Sequence, residues 1–214
     1  EPIFTEDKEI ANNDYETAGL GWNPGSVKNS ARDVIPVTDP INSDNNRVLS
    51  YKHWYYGEGA IFLGAEYNDQ KTIKETALKA EAGQTYTIEY DYYITGTTNS
   101  PTKVFVTAGN TIVDPSNSAE YKLNFDPDNQ VMLKEYAANT TESMSGWVRG
   151  QKATITLPTN FAAGTYPYLM IGFTKGGNQI QFFFDNIKVT EPCGVNVSYS
   201  VDNKTTNTYN SDGN

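Results

Sequence analysis

Hydrophobic and polar residues alternate along several short segments of the chain. In residues 86–94, one face of an extended chain carries apolar or aromatic side chains, namely Tyr86, Ile88, Tyr90, Tyr92 and Ile94. The opposite face carries Thr87, Glu89, Asp91 and Tyr93. This period of two is typical of a β-strand with one buried face, and residues 103–107, 147–157 and 195–201 show it again. Residues 168–174 are almost continuously apolar, which predicts a central strand.

Segments rich in turn-forming residues separate these strands, at 19–30, 39–46, 95–102, 114–119 and 126–129. Many short strands with such punctuation predict an all-β protein, either an antiparallel sandwich or a barrel. Residues 71–82 are the exception because they are rich in helix formers, and helix and strand stay equally open there.

The length of 214 residues suits one large β domain with a short tail. Turn-forming residues around Pro192 and Gly194 predict a boundary, with one β module over residues 1–192. Residues 193–214 are then a linker or the truncated start of a following β module, with a strand at 195–201 and a turn at 202–204. We expect the chain to be a processed piece of a larger protein. The lone Cys193 excludes an internal disulfide.

Acidic residues outnumber basic ones, 26 to 16, which gives a net charge of −10. Nucleic acid and anionic membrane surfaces attract basic proteins, so we expect neither as a partner. No apolar run approaches the ~18 residues of a membrane-spanning helix. The charge is better matched to a neutral ligand or a cation.

The chain combines a mean hydropathy of −0.58 with an aromatic content of 13%, and 15 of those rings are tyrosines. Such a polar chain keeps some rings near water. Residues 52–69 contain consecutive rings, and the candidates for ligand contact there are Trp54, Tyr55, Tyr56 and Tyr67. Neighbouring residues of a strand face opposite ways, so these rings cannot all enter one core. Exposed rings stack on the apolar faces of sugars, which predicts a carbohydrate site.

A second candidate site is the polar face of the strand at 86–94. Glu89, Asp91 and Tyr93 share that face, and Phe105 is a possible neighbour. Two acids and a ring on a sheet face would suit a polysaccharide. Taken singly, each aromatic residue is also compatible with core or edge packing, which is the role predicted for Trp22 and Trp147.

The segment "FFFDNIKV", residues 182–189, places a carboxylate among apolar residues. Strict alternation points Asp185 inward with Ile187 and Val189, unless a bulge breaks the phase. Burying this charge is costly unless it is neutralised. Hydrogen bonds from backbone N–H groups would do so, and so would a calcium ion held by six to eight oxygen ligands. Glu16 is the candidate second carboxylate.

Four segments occur in the order seen in one group of families: "NDYETAGLGW", "AGQTYTIEYDYYIT", "GWVRGQKATITLP" and "FFFDNIKVTEP". They resemble segments of carbohydrate-binding modules of the calcium-containing β-jelly-roll, galactose-binding-like families. The resemblance spans about residues 10–190. It implies an antiparallel β-sandwich with jelly-roll topology and a structural calcium between the first and last strands, bound by Glu16 and Asp185. Residues 39–70 and 110–139 are longer than the family pattern.

The function expected from these features is that of a non-catalytic carbohydrate-binding module. It would adsorb a plant or microbial polysaccharide and target a linked catalytic module, in a secreted or surface-attached, bacterial multi-domain protein. A surface-protein spacer or protein-binding module of the same fold is the alternative. A β-sandwich glycosidase is the third hypothesis, because Glu89 and Asp91 stand ~6–7 Å apart on one strand face, near the range that glycosidases use. The chain lacks the Gly-x-Ser-x-Gly, phosphate-loop and His-Glu-x-x-His motifs.

Overall fold

The computed structural model describes residues 7–13, 22–26, 34–42, 46–52, 58–66, 77–174, 180–192, 197–201 and 205–209. Within these ranges all regular secondary structure is β-strand. The strands are β1 (Lys8–Asn13), β2 (Trp22–Ser26), β3 (Val34–Thr38), β4 (Arg47–Lys52), β5 (Glu58–Glu66), β6 (Thr85–Thr97), β7 (Thr102–Asp114), β8 (Asn117–Tyr136), β9 (Thr141–Ser143), β10 (Val148–Thr156), β11 (Tyr168–Thr174), β12 (Gln181–Glu191), β13 (Val197–Val201) and β14 (Thr205–Tyr209).

Two antiparallel sheets form the sandwich. The seven-stranded sheet has the order β10-β6-β12-β4-β3, with β1 on β12 and β9 on β6. The five-stranded sheet has the order β2-β5-β11-β7-β8. The predicted antiparallel sandwich is therefore confirmed, and β11 lies at the centre of its sheet, as its apolar sequence predicted.

The core between the sheets follows the predicted alternation. Tyr86, Ile88 and Ile94 of β6 face inward, as do Val104 and Val106 of β7. The two sheets meet at a stacked pair of rings, in which Tyr51 of β4 lies 4.0 Å from Phe173 of β11 between ring centroids.

The segment that was open between helix and strand is neither in its described part. Residues 77–82 form an irregular connection, with an isolated bridge from Lys79 to Tyr168. Leu78 donates its backbone N–H to Leu63 and accepts one from Leu169, so the segment is fastened to β5 and β11 without forming a strand. Residues 71–76 lie outside the described part.

β13 and β14 pair with each other as a separate two-stranded sheet. The strand predicted at 195–201 is therefore present, although residues 195 and 196 and the predicted turn at 202–204 lie outside the described residues. The division at residue 192 stays a prediction.

The hairpin of β7 and β8 is the longest in the described chain, and its register is interrupted. Thr107 pairs with Gln130 but Gly109 pairs with Phe125, so residues 126–129 form a large bulge on β8. The paired strands continue beyond β11 as an arm, residues 110–124. This arm packs on the outer face of the five-stranded sheet, where Leu123 joins a cluster with Phe62 and Met170.

Candidate functional site

The outer face of the five-stranded sheet carries a groove of about 730 Å³. Strands β5, β7, β8 and β11 all contribute to it, together with Pro101. The lining residues share no single chemistry: they are Glu58, Pro101, Lys103, Phe105, Lys122, Leu123, Asn124, Phe125, Pro127, Gln130 and Thr174.

Aromatic rings form the apolar part of the groove. Phe105 is 1% exposed, and the half-buried Phe125 meets it edge to face, with centroids 5.2 Å apart and planes at 83°. Both rings lie over Gly172, where an added Cβ would stand 2.7 Å from Phe105 and 2.9 Å from Phe125. The missing side chain at Gly172 therefore sets how deeply the two rings sit.

The arm supplies one wall of the groove. Lys122 pairs with Ile112, nine residues along β7 from Lys103. A straight strand would separate those two positions by about 30 Å. Because Lys103 and Lys122 nevertheless line one groove, the hairpin must curl back over the sheet.

The bulge at residues 126–129 is held by hydrogen bonds. The buried Thr107 hydroxyl lies 2.8 Å from the carbonyl of Asn129 and 3.3 Å from that of Asp126. The Asp126 carboxylate accepts the backbone N–H of Asp128 and the side-chain amide of Asn129. The rim formed by Pro127 and Gln130 is thus a fixed part of the fold, and binding there would cost little ordering.

The rim of the groove is polar and carries charges of both signs. Glu58, Thr174 and Lys103 are cross-strand neighbours in one row of the sheet. Lys103 also forms an exposed ion pair of 3.5 Å with Glu135. Asn124 and Gln130 add amide groups. A partner that fits here has an apolar face for the rings and hydrogen-bonding groups at its edges.

The predicted second site lies on the opposite side of the molecule. Glu89, Asp91 and Tyr93 of β6 share the outer face of the seven-stranded sheet, as their spacing predicted. The suggestion that Phe105 lies beside them is wrong, because Phe105 belongs to β7 of the other sheet. The short sequence separation gave no sign that the chain crosses between sheets after β6.

The two acidic side chains of that face already form ion pairs with neighbouring basic residues. Glu89 lies 3.7 Å from the ammonium groups of both Lys152 and Lys188. Asp91 is 6% exposed and accepts hydrogen bonds from Arg149, from the Gly150 N–H and from the Asn186 amide, at 2.7–2.9 Å.

Tyr93 is half-buried on this face, between two other rings. Its ring centroid lies 6.1 Å from that of Trp147 and 5.7 Å from that of Phe183. The Trp147 indole N–H donates to Asp39 at 3.1 Å. Trp147 is half-buried, in keeping with the packing role predicted for it.

A β-bulge in β12 determines which face of the sheet Asp185 points to. The register of β12 on β6 shifts between Asp185 and Lys188, and Asn186 has a φ of 47°. Phe182 and Phe184 face the core before the bulge, and Ile187 and Val189 face it afterwards. Asp185 therefore points to the outer face, and strict alternation does not hold. It remains buried, at 3% exposure.

Asp185 belongs to a network of polar side chains. It accepts the N–H of Asn186 at 2.8 Å and the amide of Asn46 at 3.3 Å, and the same amide reaches Asp39 at 3.0 Å. Burial raises the pKa of Asp185 to about 6, with a further increase from the charge of Asp91, while these hydrogen bonds and Arg149 act in the opposite direction. Burial also raises the pKa of Asp39, but its hydrogen bonds outweigh this and hold it below the ordinary value.

The described residues alone do not complete a calcium site. They contain no group of three or more acidic, histidine or cysteine side chains that could hold a metal ion. Asp185 supplies one incompletely neutralised carboxylate, whereas calcium takes six to eight oxygens. Asn13 pairs with Ile187, next to this site, and Glu16 follows three residues later but lies outside the described part.

The predicted rings Trp54, Tyr55, Tyr56 and Tyr67 also lie outside the described residues. Sequence reasoning missed Phe125 and Lys122. The only signal was the unexpected length of residues 110–139, a range that contains the arm and the bulge.

No helix in the described part of the chain is long and apolar enough to cross a membrane.

No family model and no curated protein matches the chain. Among solved structures, it is similar to the CBM22-1–GH10 modules of Clostridium thermocellum endo-1,4-beta-D-xylanase 10B complexed with xylohexaose. The identity is 14% and the TM-score 0.47, over 92% of this chain and 30% of that one.

It is also similar to the CBM22-1 xylan-binding domain of Paenibacillus barcinonensis Xyn10C, with 9% identity and a TM-score of 0.45 over 89% of this chain and 98% of that one. The mannan-recognising module TmCBM27 gives 10% identity and a TM-score of 0.37, over 88% of this chain and 100% of that one. With TM-scores and identities this low, these likenesses do not define a function for this chain.

Proposed function

We propose that this chain is a non-catalytic carbohydrate-binding module that adsorbs a polysaccharide in the groove on its five-stranded sheet. The observation that carries the proposal is the groove itself, which presents the half-buried Phe125 ring, backed by the buried Phe105 ring, beside a hydrogen-bonding rim. A pyranose presents the complementary surface, because its C–H face is apolar and its hydroxyl groups project from the edges.

The opposite face supports a binding role over a catalytic one. Glu89 and Asp91 are the carboxylate pair that suggested a glycosidase, and both are engaged in ion pairs. A buried Asp91 held by three donors is poorly placed to attack a sugar or to activate water. We keep Tyr93, which lies between the rings of Trp147 and Phe183, as a second proposed contact for a polysaccharide.

The site assignment extends the sequence prediction. We propose that the rings predicted from the sequence, Trp54, Tyr55, Tyr56 and Tyr67, also contribute to carbohydrate binding. Adsorption would raise the local substrate concentration for a linked catalytic module. This role requires a secreted or cell-surface location.

Affinity electrophoresis against a panel of plant polysaccharides tests the proposal. We expect at least one polysaccharide to retard the wild-type protein, and Phe125→Ala to weaken that retardation by about tenfold or more, as at a central binding contact. Trp54→Ala should weaken it as well. Ile41→Ala is the matched control, because Ile41 is an exposed apolar residue outside the groove.

Retardation by none of the polysaccharides would refute the proposal and leave a spacer or protein-binding role. New reducing ends in the same incubations would instead show a glycosidase.

We also propose a structural calcium bound by Asp185 and Glu16. The support is a buried carboxylate with a raised pKa at the point where β1 approaches β12. Chelation should lower the Tm of the wild-type protein, and Asp185→Asn or Asp185→Ala should abolish that sensitivity. Differential scanning calorimetry with and without chelator measures this, and equal melting of the wild type in both conditions would contradict it.

A further inference from the structure

We propose that the groove selects glycans that carry negatively charged substituents, either carboxylate or sulfate. This inference rests on the proposed function and concerns the substrate class of the same site. It starts from the uneven distribution of charge on the molecule, which has a net charge of −10 but places two lysines in one groove.

Lys122 is the central residue of the argument. It is exposed on the arm and lines the groove beside Leu123. Lys8, Lys103, Lys152 and Lys188 each have a carboxylate within 4 Å, whereas Lys122 has no ion-pair partner among the residues that the structure describes. An ammonium group in this position is available to an anion on a bound partner.

Lys103 adds a second positive charge to the same groove. Its partner Glu135 lies at 3.5 Å, but both side chains are about half exposed, at 47% and 59%. Exposed pairs of this kind contribute little and exchange readily for another partner. A bound anion can therefore share Lys103 without a large loss.

Glu58 is the opposing charge in the groove, and it lies in the same cross-strand row as Lys103 with Thr174 between them. Glu58 already has an interaction of its own within the fold. Since Lys122 lies on the arm rather than in this row, its field is not cancelled by a cross-strand partner. The groove thus combines a ring floor for the sugar with an available ammonium group for the anion.

Two described lysines of the opposite sheet do not create such a site. Lys152 and Lys188 both lie 3.7 Å from the Glu89 carboxylate on the opposite sheet, so each already has an ion-pair partner. Anionic glycans should therefore be attracted to the groove in preference to the rest of this acidic surface. The attraction should weaken with added salt, because exposed charges are screened.

The test uses three forms of one polymer: a xylan carrying glucuronate groups, the same xylan after chemical reduction of its carboxylates, and a sulfated derivative of the reduced xylan. We expect the carboxylated or the sulfated form to bind about fivefold or more tightly than the reduced form, the size expected of one exposed ion pair near its upper limit. Which of the two binds identifies the anion.

Lys122→Gln should remove the preference for charged glycans, so that this variant binds the charged and the reduced xylans equally. Lys152→Gln is the matched control, since it changes the net charge equally but lies on the other sheet, and it should keep the preference. The melting temperature of each variant confirms folding.

Equal binding of the charged and reduced forms would overturn the inference while leaving the proposed function intact. An effect of Lys152→Gln equal to that of Lys122→Gln would also overturn it. Failure to bind any polysaccharide, charged or neutral, would instead refute the proposed function on which it rests.

Discussion

Asp185 shows how one residue can combine a cost in folding stability with a proposed role as a calcium ligand. A buried carboxylate with two hydrogen-bond donors keeps part of its desolvation penalty, and its pKa rises to about 6 as a result. The neighbouring Asp39 avoids this outcome because it accepts more hydrogen bonds, from Ile41, Asn42, Asn46 and Trp147, which hold its pKa below the ordinary value.

The raised pKa of Asp185 predicts a pH dependence in protein freed of calcium. The folded state holds the Asp185 proton more tightly than the unfolded state, in which the pKa is near 3.8. Folding stability therefore falls as pH rises from about 4 to about 6 and is then lower by about 2–3 kcal/mol. The Asp185→Asn variant, which does not titrate there, should lack this decrease.

Urea unfolding of both proteins across that pH range, in the presence of chelator, measures the difference. Parallel stability curves for the wild type and Asp185→Asn would contradict the assignment of the raised pKa to this residue.

At the scale of the elements, the arm and its bulge determine the shape of the groove. The arm covers part of the five-stranded sheet, where Phe62 and Met170 are fully buried although they face away from the core. Leu123 and Phe125 bring apolar side chains over that surface. The small residue Gly172 in β11 leaves the space into which the Phe105 and Phe125 rings fit.

Gly172→Ala should displace the two rings and distort the groove. The added Cβ would stand less than 3.0 Å from both rings, and such overpacking costs about 1–3 kcal/mol. We expect a Tm lower by several degrees and a loss of polysaccharide binding at temperatures where the variant remains folded.

Gly164→Ala is the matched control, because an added Cβ there meets nothing within 4 Å. Calorimetry and affinity electrophoresis on the two variants provide the comparison. Unchanged binding by a folded Gly172→Ala protein would show that the ring positions do not matter.

At the scale of the whole molecule, the alternation of β6, β7 and β10 and the apolar run of β11 were enough to predict an antiparallel all-β fold. They left a sandwich and a barrel open, and the family resemblance favoured the sandwich. These signals are local, since each depends on which face of one strand is buried. The bulge at Asp185 was one of two stated alternatives. Periodicity could not choose between them, because a single extra residue reverses every side chain that follows.

The groove could not be predicted from the same signals. It depends on an arm that returns over the sheet and on four bulged residues, 126–129, whose position is set by Thr107 across the ladder. Phe105 illustrates the difficulty, because its strand was recognised but its suggested position beside Glu89, Asp91 and Tyr93 was wrong. The sheet to which a strand belongs depends on its pairing with strands that are distant in the sequence. The local pattern of apolar and polar residues carries little information about that pairing.

The most direct test of the groove as the binding site is an NMR titration of backbone amides with an oligosaccharide from the polysaccharide that retards the protein. The account predicts that the largest shifts occur at residues 103–105 and 122–125. The amides of Glu89, Asp91 and Tyr93 on the opposite sheet should shift little. Shifts concentrated on residues 89–93, with the groove unaffected, would contradict it.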